Sequence, residues 1–139
     1  MFLVRLIYTS KTSHNFGPED IENILEKARI NNQKKNVTGL LCFNNKFFLQ
    51  CLEGSRQAVN DTYHHILNDD RHSNIIMLNY TEIIVREFEQ WSMGYMPQSS
   101  MTSPITLKHS GTPNFAPYEM SGESAHCLML ALKESIRTC

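Results

Sequence analysis

Three residue sets in this sequence could act on one ligand: an amide inside an apolar strand, two amides at the end of an amphipathic helix, and a phenol on a separate strand. Gln50 stands among Phe47, Phe48, Leu49, Cys51 and Leu52. A buried amide, with two donors and two acceptor sites, needs partners. Gln50 is therefore either a core glutamine tied to backbone or an amide aimed at a polar ligand in an apolar pocket. Asn31 and Asn32 continue the spacing of Ile21, Ile24, Leu25 and Ala28, which places two amides at the end of a buried helical stripe. They equally suit a helix stop, with Asn36 close behind. Tyr8 ends the alternation Phe2, Val4, Leu6. Alone it reads as a strand tyrosine with a core ring and an edge hydroxyl. Converged in one apolar cleft walled by Ile24, Leu25, Leu41, Phe48 and Ile66, these groups would satisfy a planar heteroaromatic ligand with an imide edge.

Other reactive types point to less. His64, His65 and His72 do not predict a metal: adjacent helical histidines diverge, and no third ligand has metal-site spacing. Cys42, Cys51, Cys127 and Cys139 form no CxxC pair, as expected for a cytoplasmic protein with reduced thiols. Glu53 reads as a strand-end cap or salt-bridge partner rather than a general acid. The 139 residues carry a net charge of −1, with 19% charged and 41% hydrophobic residues. No basic run offers a footprint for nucleic acid or an anionic membrane. No apolar stretch reaches membrane-spanning length, and MFLVRLIYTS does not read as a signal peptide.

The elements that must position these groups follow from periodicity. Phe2–Tyr8 reads as a strand and Thr9–Gly17 as a polar loop. A helix starts at Pro18 with Glu19 and Asp20 in its first turn, where the dipole favours acids. Val37–Phe43 and Phe47–Leu52 read as a hairpin turning at Asn44-Asn45, apolar on both faces and so covered on both. With Phe43 set opposite Lys46, the residues Leu41, Phe48 and Gln50 share a face with Tyr8 beneath the helices. Ser55–Asn68 reads as a second helix, Ile75–Val85 as a strand and Phe88–Met93 as a short strand, on which Trp91 and Met93 would share a face. This βαββαβ order with one appended strand predicts an α+β, ferredoxin-like sheet with two helices on one face. The region after Gly94 is polar and Ser/Thr/Pro-rich to about Pro117. A last helix, Ser121–Thr138, carries Ala125, Leu128, Met129, Leu132 and Ile136 and is expected over the opposite face or in a subunit contact. Residues 1–95 form the expected ligand-binding domain and 96–139 a linker and helix extension.

The blocks RLIYTS, ARINNQKKNVTGLLCF, FFLQCLEG, YHHILNDDRH and FEQWSM, in this order between Leu3 and Met93, resemble the BLUF domain, a flavin-based blue-light sensor. The tail, with Leu107–Gly111 and the helix around Cys127 and Leu128, is similar to the short, stand-alone PixD-like type, which has no output enzyme. The resemblance implies FAD, with FMN as the alternative. Tyr8 matches the photoactive tyrosine and Gln50 the switching glutamine. Asn32 matches the asparagine on the flavin C4 carbonyl and N3 edge, with Asn31 beside it. Ile24 and Ile66 match residues flanking the ring, and Trp91 and Met93 the residues that exchange or shift near the glutamine. Asp69 and His72 fall near the ribityl or phosphate end. His65 stands where short members often carry Arg, which weakens its hold on a phosphate. The resemblance further implies electron and proton transfer from Tyr8, a rotated or tautomerised Gln50, and a non-enzymatic output through protein contacts. A response-regulator-like partner and a homo-oligomer are implied by analogy. The rival readings are a small flavin oxidoreductase on the same site and a ligand-free ferredoxin-like interaction module.

Overall fold

The structure is a computed structural model that describes residues 2–12, 18–89, 91, 93–98 and 102–137. Its elements are strand β1 (Leu3–Thr12), helix α1 (Pro18–Lys35), strands β2 (Thr38–Phe43) and β3 (Phe47–Ser55), helix α2 (Arg56–Leu67), strands β4 (His72–Ile83) and β5 (Gly94–Pro97), and helices α3 (Ser103–His109) and α4 (Gly122–Arg137). The sheet order is β4-β1-β3-β2-β5. Each of the first four strands is antiparallel to its neighbours among them, and β5 joins β2 in parallel. This is the expected ferredoxin-like sheet with one strand appended.

Local chemistry sets the element ends. α1 has Glu19 and Asp20 in its first turn and Lys34 and Lys35 in its last, each sign matched to the helix dipole. It stops where Asn36 takes φ 57°, the left-handed conformation that ends helices. The stop is thus Asn36, and Asn31 and Asn32 lie inside the helix. The Ser55 hydroxyl caps α2 by accepting from Ala58 N at 3.3 Å.

The expected polar loop after Tyr8 begins later than composition suggested. Thr9 and Lys11 pair with both β3 and β4, and Thr12 with β4, because two-sided pairing outweighs a polar composition. The rest of that loop, residues 13–17, lies outside the described residues, as does Cys139. In the hairpin, Phe43 pairs with Phe48, not with Lys46. The Asn44 side chain accepts from Lys46 N and Phe47 N at 2.9 and 2.8 Å, stabilising a longer turn. The register moves by two residues, so every side chain keeps its expected face.

Phe88–Met93 is not a strand among its described residues. The amides of Glu87 and Phe88 donate to Glu53 Oε1 at 2.9 and 2.8 Å, and Trp91 N donates to Phe88 O at 3.4 Å. These donors serve a buried carboxylate and a turn instead of a ladder. Sheet pairing resumes only at Gly94, where a Cβ would lie 2.9 Å from the Trp91 ring.

The two faces carry separate cores. Val4, Leu6, Tyr8, Leu41, Phe48 and Leu52 pack with Ile21 and Leu25 of α1 and Val59 and Tyr63 of α2. Ile7, Leu40, Cys42, Leu49 and Cys51 pack with Phe88, Phe115, Ala125, Leu128, Met129 and Leu132. α4 therefore covers the otherwise bare face, each large apolar side chain contributing about 1.5–3 kcal/mol by full burial. The Ser121 hydroxyl caps it by accepting from Ser124 N at 3.0 Å. α3, placed in a stretch read as polar linker, starts with Pro104 in its first turn, the signal that composition alone obscured.

Candidate functional site

Tyr8 and Gln50 are directly opposite on β1 and β3. Alternation turns both side chains toward α1 and α2. The Tyr8 hydroxyl donates to Gln50 Oε1. On its other side Gln50 Nε2 donates to the Met93 sulfur at 3.4 Å. Gln50 is 5% exposed and Met93 2%, so water does not substitute for either partner. One bond is strong; the other is to a thioether, a weak acceptor. The amide is thus oriented but lightly held on its nitrogen side.

Tyr8 is fully buried. That burial, with smaller contributions from Tyr63 and Asp69, holds its hydroxyl well above the ordinary phenol pKa, so it keeps its proton. The Tyr63 ring lies 5.7 Å and the His72 ring 6.2 Å from it. His72 also meets Phe48 at 4.7 Å, and its Nδ1 is 2.9 Å from Ser10 Oγ. Burial pushes the His72 pKa down to about 4; Asp69 opposes this and Arg71 adds to it. The imidazole is therefore neutral at pH 7.

A cleft between α1, α2 and the sheet reaches Gln50. Its inner part, about 140 Å³, is lined by Ile24, Ala28, Asn31, Asn32, Gln50, Thr62, Ile66 and His72. An outer vestibule of about 830 Å³ continues from it, sharing Lys27, Asn31, Lys35, His65, Asp69 and Arg71. Asn32, at 1% exposure, is as deep as Gln50. A second groove of about 770 Å³, at the β5 edge, contains neither Gln50 nor Asn32, and its Asn44 side chain is engaged in the hairpin turn.

The expected residues converge with one exception. Ile24, Asn31, Asn32, Gln50, His65, Ile66, Asp69 and His72 line the cleft, while Tyr8, Leu41 and Phe48 form the core behind it. Met93 joins that core, but Trp91 packs in the opposite one. The two do not share a face because the segment is not a strand. Its carbonyls are held separately: Gly39 N donates to Trp91 O at 3.1 Å and Arg29 Nε to Met93 O at 3.2 Å. Lys27, Ala28, Lys35, Thr62 and Arg71 were not foreseen. Lys27 and Lys35 stand four residues on either side of Asn31, a spacing that could have found them.

This donor set fits a flavin. Amides at the cleft floor offer the mixed donors and acceptors an imide edge requires, Ile24, Ala28 and Ile66 provide apolar walls, and cations gather at the mouth, where a phosphate-bearing tail would lie. No cluster of His, Cys, Asp and Glu suited to a metal occurs among the described residues. No helix among them is long and apolar enough to cross a membrane.

Comparison with known proteins agrees with this geometry. The family model described as "BLUF: Sensors of blue-light using FAD" matches residues 3–94. The chain is 38% identical over 76 residues to the blue light- and temperature-regulated antirepressor BluF of Escherichia coli K12, covering 55% of this chain and 19% of that protein. It is 34% identical over 74 residues to photoactivated adenylate cyclase subunit alpha of Euglena gracilis, covering 53% and 7%. It thus spans less than a fifth of either relative. Among solved structures, the photo-activated state of BlsA superposes with a TM-score of 0.85 at 29% identity, covering 94% of each chain. The dark state of BlrB, a BLUF protein, gives 0.72 at 29% identity, covering 77% of this chain and 80% of that one.

Proposed function

We propose, from the premise that this chain belongs to the BLUF family of sensors of blue light using FAD, that it reports light through the Tyr8–Gln50 pair and passes the signal on by altered protein contacts. The observation that carries this reading is the hydrogen-bonded series Tyr8–Gln50–Met93 at the floor of the cleft. When bound, the flavin supplies absorption of blue light and, once excited, the pull for one electron. Tyr8 is the donor. Its hydroxyl already points its proton at Gln50 Oε1, and a phenol that loses an electron becomes strongly acidic. Gln50 takes up that proton, and electron and proton then return so that Tyr8 is again a neutral phenol and Gln50 alone is left rotated or tautomerised. The weak bond from its nitrogen to the Met93 sulfur is the one exchanged.

A hydrogen bond gained or lost here is worth about 1 kcal/mol net, so it can bias only an element already near balance. Met93 belongs to the segment between the two cores, and Trp91, two residues away, contacts the α4 side. Output is therefore through the surface that this segment and α4 control, with a response-regulator-like protein or further copies of this chain as receivers. No substrate is turned over.

The test is the absorption spectrum of the purified protein before and after blue light. The expected result is a flavin spectrum that moves slightly red as a whole and returns in the dark. Tyr8→Phe should keep the flavin and lose the shift. A normal shift in that variant would remove Tyr8 from the mechanism, and turnover of reduced nicotinamide would replace the sensor reading with an oxidoreductase.

A further inference from the structure

Two helices do not cover five strands. Strands lie about 4.8 Å apart and a helix with its side chains is about 10 Å across, so α1 and α2 cover about four strands. The strand left bare on their side is β5, at the sheet edge beyond β2. There Leu41 pairs with Tyr95 and Phe43 with Pro97, and pleat parity turns Tyr95 and Pro97 toward the α1 side. The result is the groove of about 770 Å³, with Phe43, Tyr95 and Pro97 on the sheet wall and Ile21, Leu25 and Arg29 on the α1 wall. Tyr95 is 46% exposed and Ile30 of α1 is 50% exposed. The charges beside the groove are unspent. Glu22 also lines it, and neither Glu22 nor Arg29 has a salt bridge among the described residues. Arg29 donates through Nε to Met93 O at 3.2 Å and lies over the Tyr95 ring at 5.8 Å from its centroid. Glu22 and Arg29 are seven residues apart, so they share one helix face two turns apart.

We propose that this groove is filled by α1 of a second copy of the chain, lying antiparallel to α1 in a two-fold dimer. The charges select this occupant over an unrelated helix. A two-fold centred between Leu25 and Glu26 sets Glu22 of each copy opposite Arg29 of the other, and Ile30 opposite Ile21. One surface is then its own complement, as an isologous interface requires. The two helices lie side by side between the two sheets, each beneath the other copy's Tyr95, and Glu26, near the centre, comes within one turn of the same arginine. The apolar slot holds the helix, while the exposed charge pairs add little affinity and fix register and partner. The dimer also engages the switch, because Arg29 holds the Met93 carbonyl and Met93 is the sulfur partner of Gln50. This coupling rests on the sensor reading; the interface itself does not.

The test is sedimentation equilibrium of the flavin-loaded chain in the dark. Wild type should be a reversible dimer with a micromolar dissociation constant that rises with salt. Glu22→Arg and Arg29→Glu each turn both attractive contacts into repulsive ones and should raise that constant about tenfold or more. Retained flavin, whose cleft includes neither residue, reports that each variant is folded. The double reversal Glu22→Arg/Arg29→Glu should restore the dimer, and so should mixing the two single variants in equal amounts. Both rescues follow only if Glu22 and Arg29 face each other across a two-fold. A wild type that stays monomeric up to about 1 mM, a dimer that both single reversals leave unchanged, or reversals that neither rescue repairs overturns the proposal. The coupling has its own readout. Diluting wild type into its monomer range should change the rate at which the light-shifted spectrum returns in the dark, and Glu22→Arg should already show the diluted rate. A rate independent of concentration overturns the coupling and leaves the interface, whereas a dimer with no light-induced shift overturns the sensor reading and, with it, the coupling.

Discussion

The two faces of one sheet handle buried polar groups in opposite ways. On the α4 face, Arg5 donates to Glu53 Oε2 at 3.0 Å and also bonds Glu87. Glu53, fully buried, accepts two further backbone bonds, and Glu87 is held in addition by His126 Nε2 at 2.8 Å and by Lys133. Every charge there has a protein partner, and the apolar remainder is closed by α4. On the α1/α2 face the buried polar groups at the cleft are neutral: the Tyr8 phenol and the Gln50 and Asn32 amides. Gln50 has one strong partner and one weak one, and the cleft reaches it from outside. A closed network fixes a structure, because removing any member strands a buried charge. A partly satisfied neutral network can be completed by a ligand and rearranged cheaply. Neighbouring residues of the same strands, Ile7 beside Tyr8 and Cys51 beside Gln50, thus belong to different kinds of interior.

That contrast can be broken at its strongest point first. Gln50→Leu should abolish the light-induced spectral shift altogether while costing about 1–3 kcal/mol, because it leaves the buried Tyr8 hydroxyl without its acceptor. Difference spectra and thermal melts on the same sample decide it, and a retained shift would end the comparison. On the other face, Glu53→Gln should cost about 3–5 kcal/mol, as expected when one partner of a buried ion pair is removed. Urea unfolding measures the loss. Leu128→Ala, under α4, should cost about 2–5 kcal/mol through the cavity it leaves. Where these variants still fold and bind flavin, their initial spectral shift should be close to that of wild type, since the groups they touch lie on the opposite side of the sheet from the cleft.

The smallest effect sharpens the comparison by pH. His72 is held near pKa 4 in the folded chain, against 6.5 when unfolded. Between those values the unfolded chain binds more protons, so stability falls as pH drops from about 6.5 toward 4. Above pH 6.5 His72 contributes no slope. Asp69 adds a loss only below its ordinary carboxylate value, as pH approaches about 2. Unfolding of the flavin-free chain at pH 7 and pH 5 should show a loss at pH 5 that His72→Gln reduces. An unchanged slope in that variant would place the titration elsewhere.

Much of this was legible in the residues. The period-two alternation of Phe2–Tyr8 and of the hairpin runs assigned Tyr8, Leu41, Phe48 and Gln50 to one face, and even a hairpin register wrong by two residues left that face correct, because pleat parity survives an even slip. The three-and-four spacing of α1 placed Asn31 and Asn32 at the cleft. The stripe of α4 implied that the second face would be covered. Local patterns of this kind follow from backbone geometry and hold wherever the chain goes.

What sequence could not decide was set by partners distant in the chain. Phe88–Met93 has the composition of a strand, yet its first amides are captured by Glu53, some 35 residues earlier, and so Trp91 and Met93 part to opposite cores. Thr9–Thr12 has the composition of a loop, yet pairs into the sheet. In each case the same short peptide has two acceptable local states of similar energy, and only the long-range hydrogen bond or ion pair, which exists after folding, separates them.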